Sequence, residues 1–468
     1  MLATVRLLFS PKRRHIPQQC VKSLKRHYAR RITTVDDDLQ ADRVPSRLRK
    51  RLEKHGLNPE EFIQDVTRPT TDRAEHVVSV RKGTVVPPAS ALPQFPHNED
   101  ELKRLVQDMS SASQDLNQGD DTPPSQFPSD MKKYNDWRRD QSRKAFRPKV
   151  DPAATSLILF PGQGSQFVGM GKSVMDYKSV RELYEEASEV LKYDLLELCL
   201  SGPISSLSST VHCQPAVVVS SLAALQKLEE QNPEAIETCV GTAGLSVGEY
   251  AALVFAGVMD FADAVRIVQV RAEAMQRASE EVSSGMMTVF LSRQAKLKTA
   301  MLAAREYCSQ RCNIEEPVCT IANYLYPECK VIAGHTEALD FIEKNAKAFG
   351  IRRTKRLPVS GAFHTSLMAS AKQPLKEAIS RVHLKKPEVP VYSNVTAAMY
   401  RHPKDVAKLL PEQVTSPVKW EQLMHVMYSR ISGENFPQTF EMGPGSQLGV
   451  MLKLTNLKAY QAYANIEV

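Results

Sequence analysis

Residues 238–256, T-C-V-G-T-A-G-L-S-V-G-E-Y-A-A-L-V-F-A, are the most informative segment of the sequence for the fold. Its centre has the pattern G-x-S-x-G around Ser246, after a candidate strand at 238–240 and before a helical pattern at 249–256. In that context the serine lies on a sharp turn, so the residues two positions away must be small. The turn exposes the serine Oγ and directs the next backbone N–H, with the positive helix end, at a developing oxyanion.

The motif leaves the reaction open. A chance Gly/Ser turn would have the same five residues, and an esterase, a lipase and an acyltransferase fit the motif equally well. The residues around it are needed to choose between them.

Apolar runs along the chain predict the fold class. Ser156-Leu157-Ile158-Leu159-Phe160, ended by Pro161-Gly162, predicts a buried strand. The short apolar runs at 331–333 and 389–392 are further strand candidates, with helix-period segments between them. Strands that alternate with helices favour an α/β domain with a mainly parallel sheet.

Arg271 lies on the apolar face of a helix predicted to begin after Asp260 and to run to about Ala278. The residues three, four and seven positions away on that helix are all apolar: Ala264, Ile267, Val268, Ala274, Met275 and Ala278. An arginine there needs a desolvated anionic partner. A protein carboxylate is one candidate, and an anionic substrate held by the guanidinium fork is the other. Beside Ser246, such a cation would select an acyl group with a free carboxylate.

The positive charge of the chain is concentrated at its N-terminus. Nine of the 61 Lys and Arg lie in the first 35 residues, which contain no acid; this leaves 52 basic residues against 53 acidic ones, a net charge of −1. The remainder therefore gives no reason to expect nucleic-acid binding. The Arg-rich segment predicts a mitochondrial transit peptide over residues 1–35, with a disordered basic tail or nuclear signal as the alternative.

Other features bound the remaining classes. No apolar run reaches about 18 residues, so no membrane-spanning helix is expected. Four of the eight cysteines, at 308, 312, 319 and 329, lack paired C-x2-C spacing, which favours reduced thiols over a zinc site. Residues 36–155 have Pro pairs and charge clusters without long apolar runs, and are expected to form a low-order N-terminal extension.

Several segments together resemble a known family. They are L-F-P-G-Q-G-S-Q at 159–166, G-L-S-V-G-E-Y at 244–250 with Arg271 beyond it, G-A-F-H-T-S-L-M at 361–368, S-N-V-T at 393–396, S-P-V-K-W at 416–420 and E-M-G-P-G at 441–445. The residues of these segments and their order along the chain resemble those of bacterial and mitochondrial malonyl-CoA:acyl carrier protein transacylases. The resemblance covers about residues 156–468.

The resemblance implies roles for the matching residues. Ser246 resembles the nucleophile that carries the acyl group, and His364 the base that takes its proton. Arg271 is similar to the arginine that holds the malonyl carboxylate. The backbone N–H groups of Gln163 and Val247 would form the oxyanion hole.

Two further residues are implied less directly. The backbone carbonyl of Gln413 would orient the histidine. The resemblance therefore implies a Ser-His dyad without a catalytic acid. Asn323 aligns with a family asparagine near the site. Many members have His immediately before the nucleophile, whereas this chain has Leu245.

The resemblance also implies an architecture. We expect an α/β-hydrolase-like large domain with a parallel sheet, residues 156–281 and 360–468, and a small ferredoxin-like insert at 282–359. The active site would lie in the cleft between them.

The implied reaction is ping-pong malonyl transfer from a coenzyme A thioester to acyl carrier protein, in the mitochondrial matrix. It needs no metal or other cofactor, no membrane and no nucleic acid, and we expect a monomer. The basic run Arg352–Arg356 is a candidate docking surface for the acidic carrier, or only a solvated face. A serine hydrolase or thioesterase on the same scaffold remains the main alternative, and a non-catalytic binding protein the other.

Overall fold

A computed structural model describes residues 104, 136–137, 139–140, 143–430 and 433–468. The predicted transit peptide lies outside the described residues, as does most of the predicted extension.

The helices and strands follow each other in an α/β pattern. The described strands are β1 (Ser156–Phe160), β2 (Cys239–Gly244), β3 (Ser284–Leu291), β4 (Cys319–Tyr326), β5 (Cys329–His335), β6 (Ile351–Arg356), β7 (Val418–Lys419), β8 (Gln438–Met442) and β9 (Tyr463–Ile466). The described α-helices are α1 (Lys178–Leu191), α2 (Leu195–Ser201), α3 (Ile204–Leu207), α4 (Thr210–Gln231), α5 (Pro233–Glu237), α6 (Gly248–Phe255), α7 (Phe261–Glu281), α8 (Leu297–Arg311), α9 (Thr336–Lys344), α10 (Lys372–Ser380), α11 (Pro403–Glu412), α12 (Trp420–Met427), α13 (Gln447–Thr455) and α14 (Leu457–Tyr460).

The larger part of the structure is built on a parallel sheet with strand order β2-β1-β8-β9. Strand β1 is buried along its whole length, as expected for a strand covered by helices on both faces. Because the strands are parallel, the loops after β1, β2 and β8 leave the same edge of the sheet. Ligands of open α/β sheets bind outside that carboxyl edge.

Two helices packed on this sheet carry the core. Helix α4 is buried without interruption over residues 213–225, where most side chains are apolar and Gln214, Ser220 and Ser221 are buried with them. Helix α7 packs against it with the predicted apolar face, which includes Arg271. The helix begins where the sequence predicts, but the side chain of Asp260 pairs with Lys385 at 2.8 Å and does not cap it.

A second sheet, with strand order β6-β3-β5-β4-β7, forms the smaller part. Its chain order is β3-α8-β4-β5-α9-β6, and its first four strands pair antiparallel. The fifth strand, β7, comes from the larger part and pairs parallel to β4, with Asn323 opposite Val418. This pairing joins the two sheets close to the segment that contains Gln413.

The apolar run at 389–392, a strand candidate in the sequence, forms only isolated bridges. Val391 bridges to Thr242 on β2, and Tyr392 to Met399. Pro390 has no N–H to donate, so the run adds to the sheet edge without extending it as a regular strand.

Ordered contacts begin before Ser156, within the region for which the sequence predicts low order. The backbone N–H of Phe146 donates to the hydroxyl of Tyr392 at 3.2 Å. Arg147 donates to the hydroxyl of Ser429 at 2.8 Å. The sequence pattern does not indicate this ordered segment, because its contacts depend on a few isolated side chains and not on an apolar run.

Some properties concern the described residues alone. None of their helices is both long enough and apolar enough to cross a bilayer. The seven described cysteines are free thiols, and no group of three or more His, Cys, Asp or Glu in this part of the chain could hold a metal ion.

Candidate active site

Ser246 lies on the turn between β2 and α6, at the carboxyl edge of the parallel sheet. Its φ is 53°, in the left-handed region that costs a non-glycine residue energy. A Cβ on Gly244 would overlap the backbone of Gly248, so the turn can close only with glycine there. The small residues of the motif therefore let strand and helix approach closely enough to present the serine.

The loop after β1 packs directly on this turn. Leu245 donates its backbone N–H to the carbonyl oxygen of Phe160 at 2.9 Å, and a Cβ on Gly162 would overlap the Leu245 carbonyl. Gln163 is the next residue of that loop and Val247 follows the serine. Neither of their backbone N–H groups donates to an acceptor among the described residues.

His364 and Ser246 are in hydrogen-bond contact. The serine Oγ lies 2.8 Å from His364 Nε2, and Nδ1 of the same ring lies 2.7 Å from the carbonyl oxygen of Gln413. A carbonyl can only accept, so Nδ1 carries the proton and Nε2 is free to accept one. Burial, and next the nearby charge of Arg271, lower the pKa of His364 to about 4, so the ring is neutral at physiological pH.

Arg271 reaches the same serine oxygen. Its Nη2 donates to Ser246 Oγ at 3.1 Å and to Gln413 Oε1 at 2.9 Å, and its Nη1 donates to Gln214 Oε1 at 2.6 Å. The residue is 1% exposed, and none of the ion pairs among the described residues includes it. Its Nε–H is buried and has no acceptor in this part of the chain. A protein carboxylate, one of the two partners open from the sequence, is therefore not in direct contact.

Gln413 contributes more than its backbone carbonyl. Its side-chain Oε1 accepts from Arg271, while its Nε2 donates to the carbonyl oxygen of Ser246 at 3.0 Å and to the carboxylate of Glu249. One residue therefore contacts the histidine, the arginine and the sharp turn at residues 244–248, which is called the elbow below.

Sequence reasoning missed three polar residues of this site. Gln214 is buried in the first half of helix α4, next to the apolar run at 215–219, and an amide beside that run is a signal that could have been noticed. Asn394 accepts from the backbone N–H of Ser246 and donates to the carbonyl of Gly244, both at 2.7 Å. Glu249 is the third, and follows the motif directly.

Asn323 lies on β4 and is 9% exposed. Its Oδ1 has no hydrogen-bond partner in the described part of the chain. It forms none of the hydrogen bonds that join Ser246, His364 and Arg271.

Comparison with known proteins identifies the family. The family model described as the acyl transferase domain matches residues 158–436. The chain is 56% identical to the human protein named mitochondrial malonyl-CoA-acyl carrier protein transacylase over 317 residues. This match covers 68% of this chain and 81% of the human one. The chain belongs to the malonyl-CoA–acyl carrier protein transacylases.

Solved structures agree with this family. The acyl carrier protein S-malonyltransferase of Vibrio cholerae superposes with a TM-score of 0.59 at 30% identity, over 67% of this chain and 97% of that one. A type II PKS acyl-carrier protein in complex with its malonyl-transacylase is similar as well. The TM-score is 0.58 at 29% identity, over 67% of this chain and 96% of that one. The α/β fold with its parallel sheet is therefore that of the malonyl transacylases.

The departure at Leu245 is accommodated in the core of this transacylase. The side chain is 8% exposed and belongs to a buried apolar cluster with Leu159 and Tyr392. An apolar residue suits that environment, because a polar side chain there would need a buried partner.

Proposed function

We propose that the chain transfers a malonyl group from malonyl-CoA to the phosphopantetheine thiol of acyl carrier protein through a malonyl ester on Ser246. The observation that carries this proposal is that Ser246 Oγ lies between a neutral imidazole nitrogen and an arginine that has no ion-pair partner among the described residues. His364 Nε2 is 2.8 Å away and Arg271 Nη2 is 3.1 Å away. The first can remove a proton, and the second can hold an acyl group that ends in a carboxylate.

The acylation step uses the neutral form of His364. Its Nε2 takes the serine proton as the oxygen attacks the thioester carbon, and it then gives that proton to the departing thiolate of coenzyme A. The Gln413 carbonyl stabilises the transient imidazolium through Nδ1–H. The backbone N–H of Val247, at the start of α6, and the backbone N–H of Gln163, in the loop after β1, stabilise the developing oxyanion.

Arg271 selects the acyl group. The Nε–H without an acceptor and one Nη–H can donate together to a carboxylate, in the bidentate geometry that guanidinium favours. The site is buried, so the interaction is only weakly screened by water. An acetyl group has no carboxylate to offer there, and Arg271 keeps its hydrogen bonds to Gln214, Gln413 and Ser246.

The second half of the reaction reverses the first with a different thiol. His364 takes the proton of the carrier's pantetheine thiol, and the thiolate attacks the carbonyl carbon of the malonyl ester. The bond between that carbon and Ser246 Oγ then breaks, and the imidazolium returns the proton to the departing serine oxygen. A thioester becomes an ester and then a thioester again, so the exchange is nearly balanced in energy and redox-neutral. We infer from this that no cofactor is needed beyond the two substrates.

The carrier is proposed to dock on the edge strand β6. Arg352 and Arg356 pair there with acids of the chain, Glu328 for the first, and Asp340 and Glu343 for the second. Arg353, whose guanidinium lies 4.2 Å from the centre of the Phe290 ring, and Lys355 are both exposed and are proposed to meet the acidic carrier. Charge reversal at these two positions should raise the KM for the carrier and leave the KM for malonyl-CoA unchanged; unaltered carrier kinetics would remove this surface.

The location is mitochondrial, in agreement with the name of the human relative. We propose the matrix as the compartment, with residues 1–35 as the transit peptide, and mitochondrial type II fatty acid synthesis as the pathway supplied. We also propose that the protein acts as a monomer and has no membrane as a partner.

The finer description of the fold is part of the proposal. The parallel sheet with the elbow after β2 supports an α/β-hydrolase-like large domain at 156–281 and 360–468. The β-α-β-β-α-β order of the small part supports a ferredoxin-like insert at 282–359.

Labelled malonyl-CoA distinguishes this function from that of a serine hydrolase. Incubated with the purified protein, the label should appear on the enzyme, move to holo-acyl carrier protein when this is added, and be lost in Ser246→Ala. Release of free malonate, whatever carrier is present, would assign the chain to the hydrolases.

A further inference from the structure

Glu249 is a buried acid that the mechanism above does not use. It lies in the first turn of α6 and is 0% exposed. Its oxygens accept hydrogen bonds from the hydroxyl of Tyr400, the side-chain amide of Gln413 and the backbone N–H of Asn394. All three groups donate, and an ionised carboxylate only accepts, so the surroundings fit the charged form.

The charge nearest to this carboxylate in the site is Arg271. The two side chains do not touch, because the amide of Gln413 lies between them. Its Oε1 accepts from Arg271 at 2.9 Å and its Nε2 donates to Glu249. A buried cation and a buried anion are therefore linked through one polarised amide. Burial is the larger influence and raises the pKa of Glu249 to about 7, while its three donors and Arg271 oppose that rise.

An arriving malonyl carboxylate would disturb this balance. It would bring a second negative charge to the same cation, in a site where burial makes uncompensated charge expensive. A proton on one of the facing groups would remove the excess. Tyr250 and Tyr400 are protonated already, since burial raises their pKa, and the pKa of His364 is lowered to about 4 in the free enzyme, chiefly by burial. Glu249 is the group left to take the proton.

We propose that Glu249 is the counter-charge of Arg271 in the free enzyme and takes up one proton from solvent when the acyl carboxylate reaches Arg271. The inference rests on the proposed function. No bond to substrate forms at Glu249, so it is a positioning residue that acts through Gln413 and Arg271. The serine proton still ends on the coenzyme A thiol, and the proton gained by Glu249 is additional.

Glu249→Gln isolates the charge. Two of the donors, Gln413 and Asn394, share one oxygen of Glu249, which the glutamine oxygen can replace. The hydroxyl of Tyr400 can rotate to accept from the new amide. Glu441→Gln is the matched control, because Glu441 is also 0% exposed and bonded by a tyrosine hydroxyl and backbone N–H groups, on β8.

Proton uptake is measured at pH 8 in weak buffer with an indicator dye, after addition of malonyl-CoA or acetyl-CoA, and acyl-enzyme is counted by intact mass. About nine-tenths of a group with this pKa is ionised at pH 8. Malonylation should therefore take up as much as about 0.9 proton more per acyl group than acetylation. The difference should vanish in Glu249→Gln and persist in Glu441→Gln.

Equal uptake with the two acyl groups, while malonyl-enzyme is seen by mass, would overturn this inference and leave the proposed function standing. Absence of malonyl-enzyme would overturn both. A second measurement needs no variant. The malonyl-to-acetyl ratio of kcat/KM in the wild-type protein should rise by up to about tenfold per pH unit as pH falls from 8.5 to 7. A flat ratio would also overturn the inference.

Discussion

Replacing Arg271 should change which acyl group the protein prefers. Arg271→Met fills most of the volume of the arginine and removes the buried charge. Three hydrogen bonds disappear with it, at 2.6, 2.9 and 3.1 Å, of which only the last involves a reacting atom, Ser246 Oγ. Malonyl transfer additionally loses the pairing of its carboxylate, whereas acetyl transfer has no such pairing to lose.

The size of the effect follows from burial. Arg271 is 1% exposed, so a carboxylate bound to it is almost fully desolvated. Loss of one partner of such a pair costs about 2–5 kcal/mol. That corresponds to a fall of about 30-fold to several-thousand-fold in kcat/KM for malonyl-CoA relative to acetyl-CoA.

The assay is release of coenzyme A thiol with saturating holo-acyl carrier protein and each acyl donor in turn. Arg271→Lys is the control, because it keeps the charge without the fork, and should lie between the wild type and Arg271→Met. Equal losses for malonyl-CoA and acetyl-CoA would refute the reasoning, since they would show that Arg271 supports the serine without selecting the acyl group.

Three further predictions test the site and its scaffold. The pKa of His364 is lowered to about 4, so its basic form persists as pH falls, and kcat/KM for acylation should decline only near pH 4. A fall in kcat/KM with a midpoint near pH 6.5 would contradict this. Gly244→Ala should strongly lower the thermal midpoint of unfolding, because the added Cβ would overlap the backbone at the start of α6. Gly285→Ala should not lower it, because its added Cβ would lie 3.8 Å from the nearest atom, on Leu339. Equal midpoints for the two variants would show that the turn at Gly244 can open. Glu421→Ala leaves buried Lys330 without its carboxylate and should reduce the free energy of unfolding, measured by denaturant titration, by about 3–5 kcal/mol. The double variant Lys330→Met with Glu421→Leu should lose less of this free energy. A larger loss in the double variant would contradict the cost of an unpaired buried charge.

Local patterns in the sequence were sufficient for the parts of the site that depend on neighbours along the chain. The strand–turn–helix around Ser246 follows from small residues at two positions and from apolar runs on either side. The inward direction of Arg271 follows from helical periodicity alone. In both cases the determining interactions lie within about two turns of the residue, so a window of sequence contains them.

The approach of the catalytic groups to each other was not available from such patterns. His364 is 118 residues from Ser246, and Gln413 is 167 residues from it. The resemblance to a family nominated both, but no local signal indicated that the side-chain amide of Gln413 would join Arg271 to Glu249. The apolar run at 389–392 shows the same limit, since whether it forms a strand depends on a neighbour across the sheet.

Short stretches of sequence are sufficient to predict the α/β fold class, the elbow and the buried arginine, because backbone propensity and burial act over such stretches. The folded chain was needed to see that Arg271 contacts amides and no carboxylate of the described residues, and that Glu249 lies behind Gln413. Hydrogen bonds and charges between distant segments depend on ångström-scale distances, which the packing of the two sheets sets and no periodicity encodes.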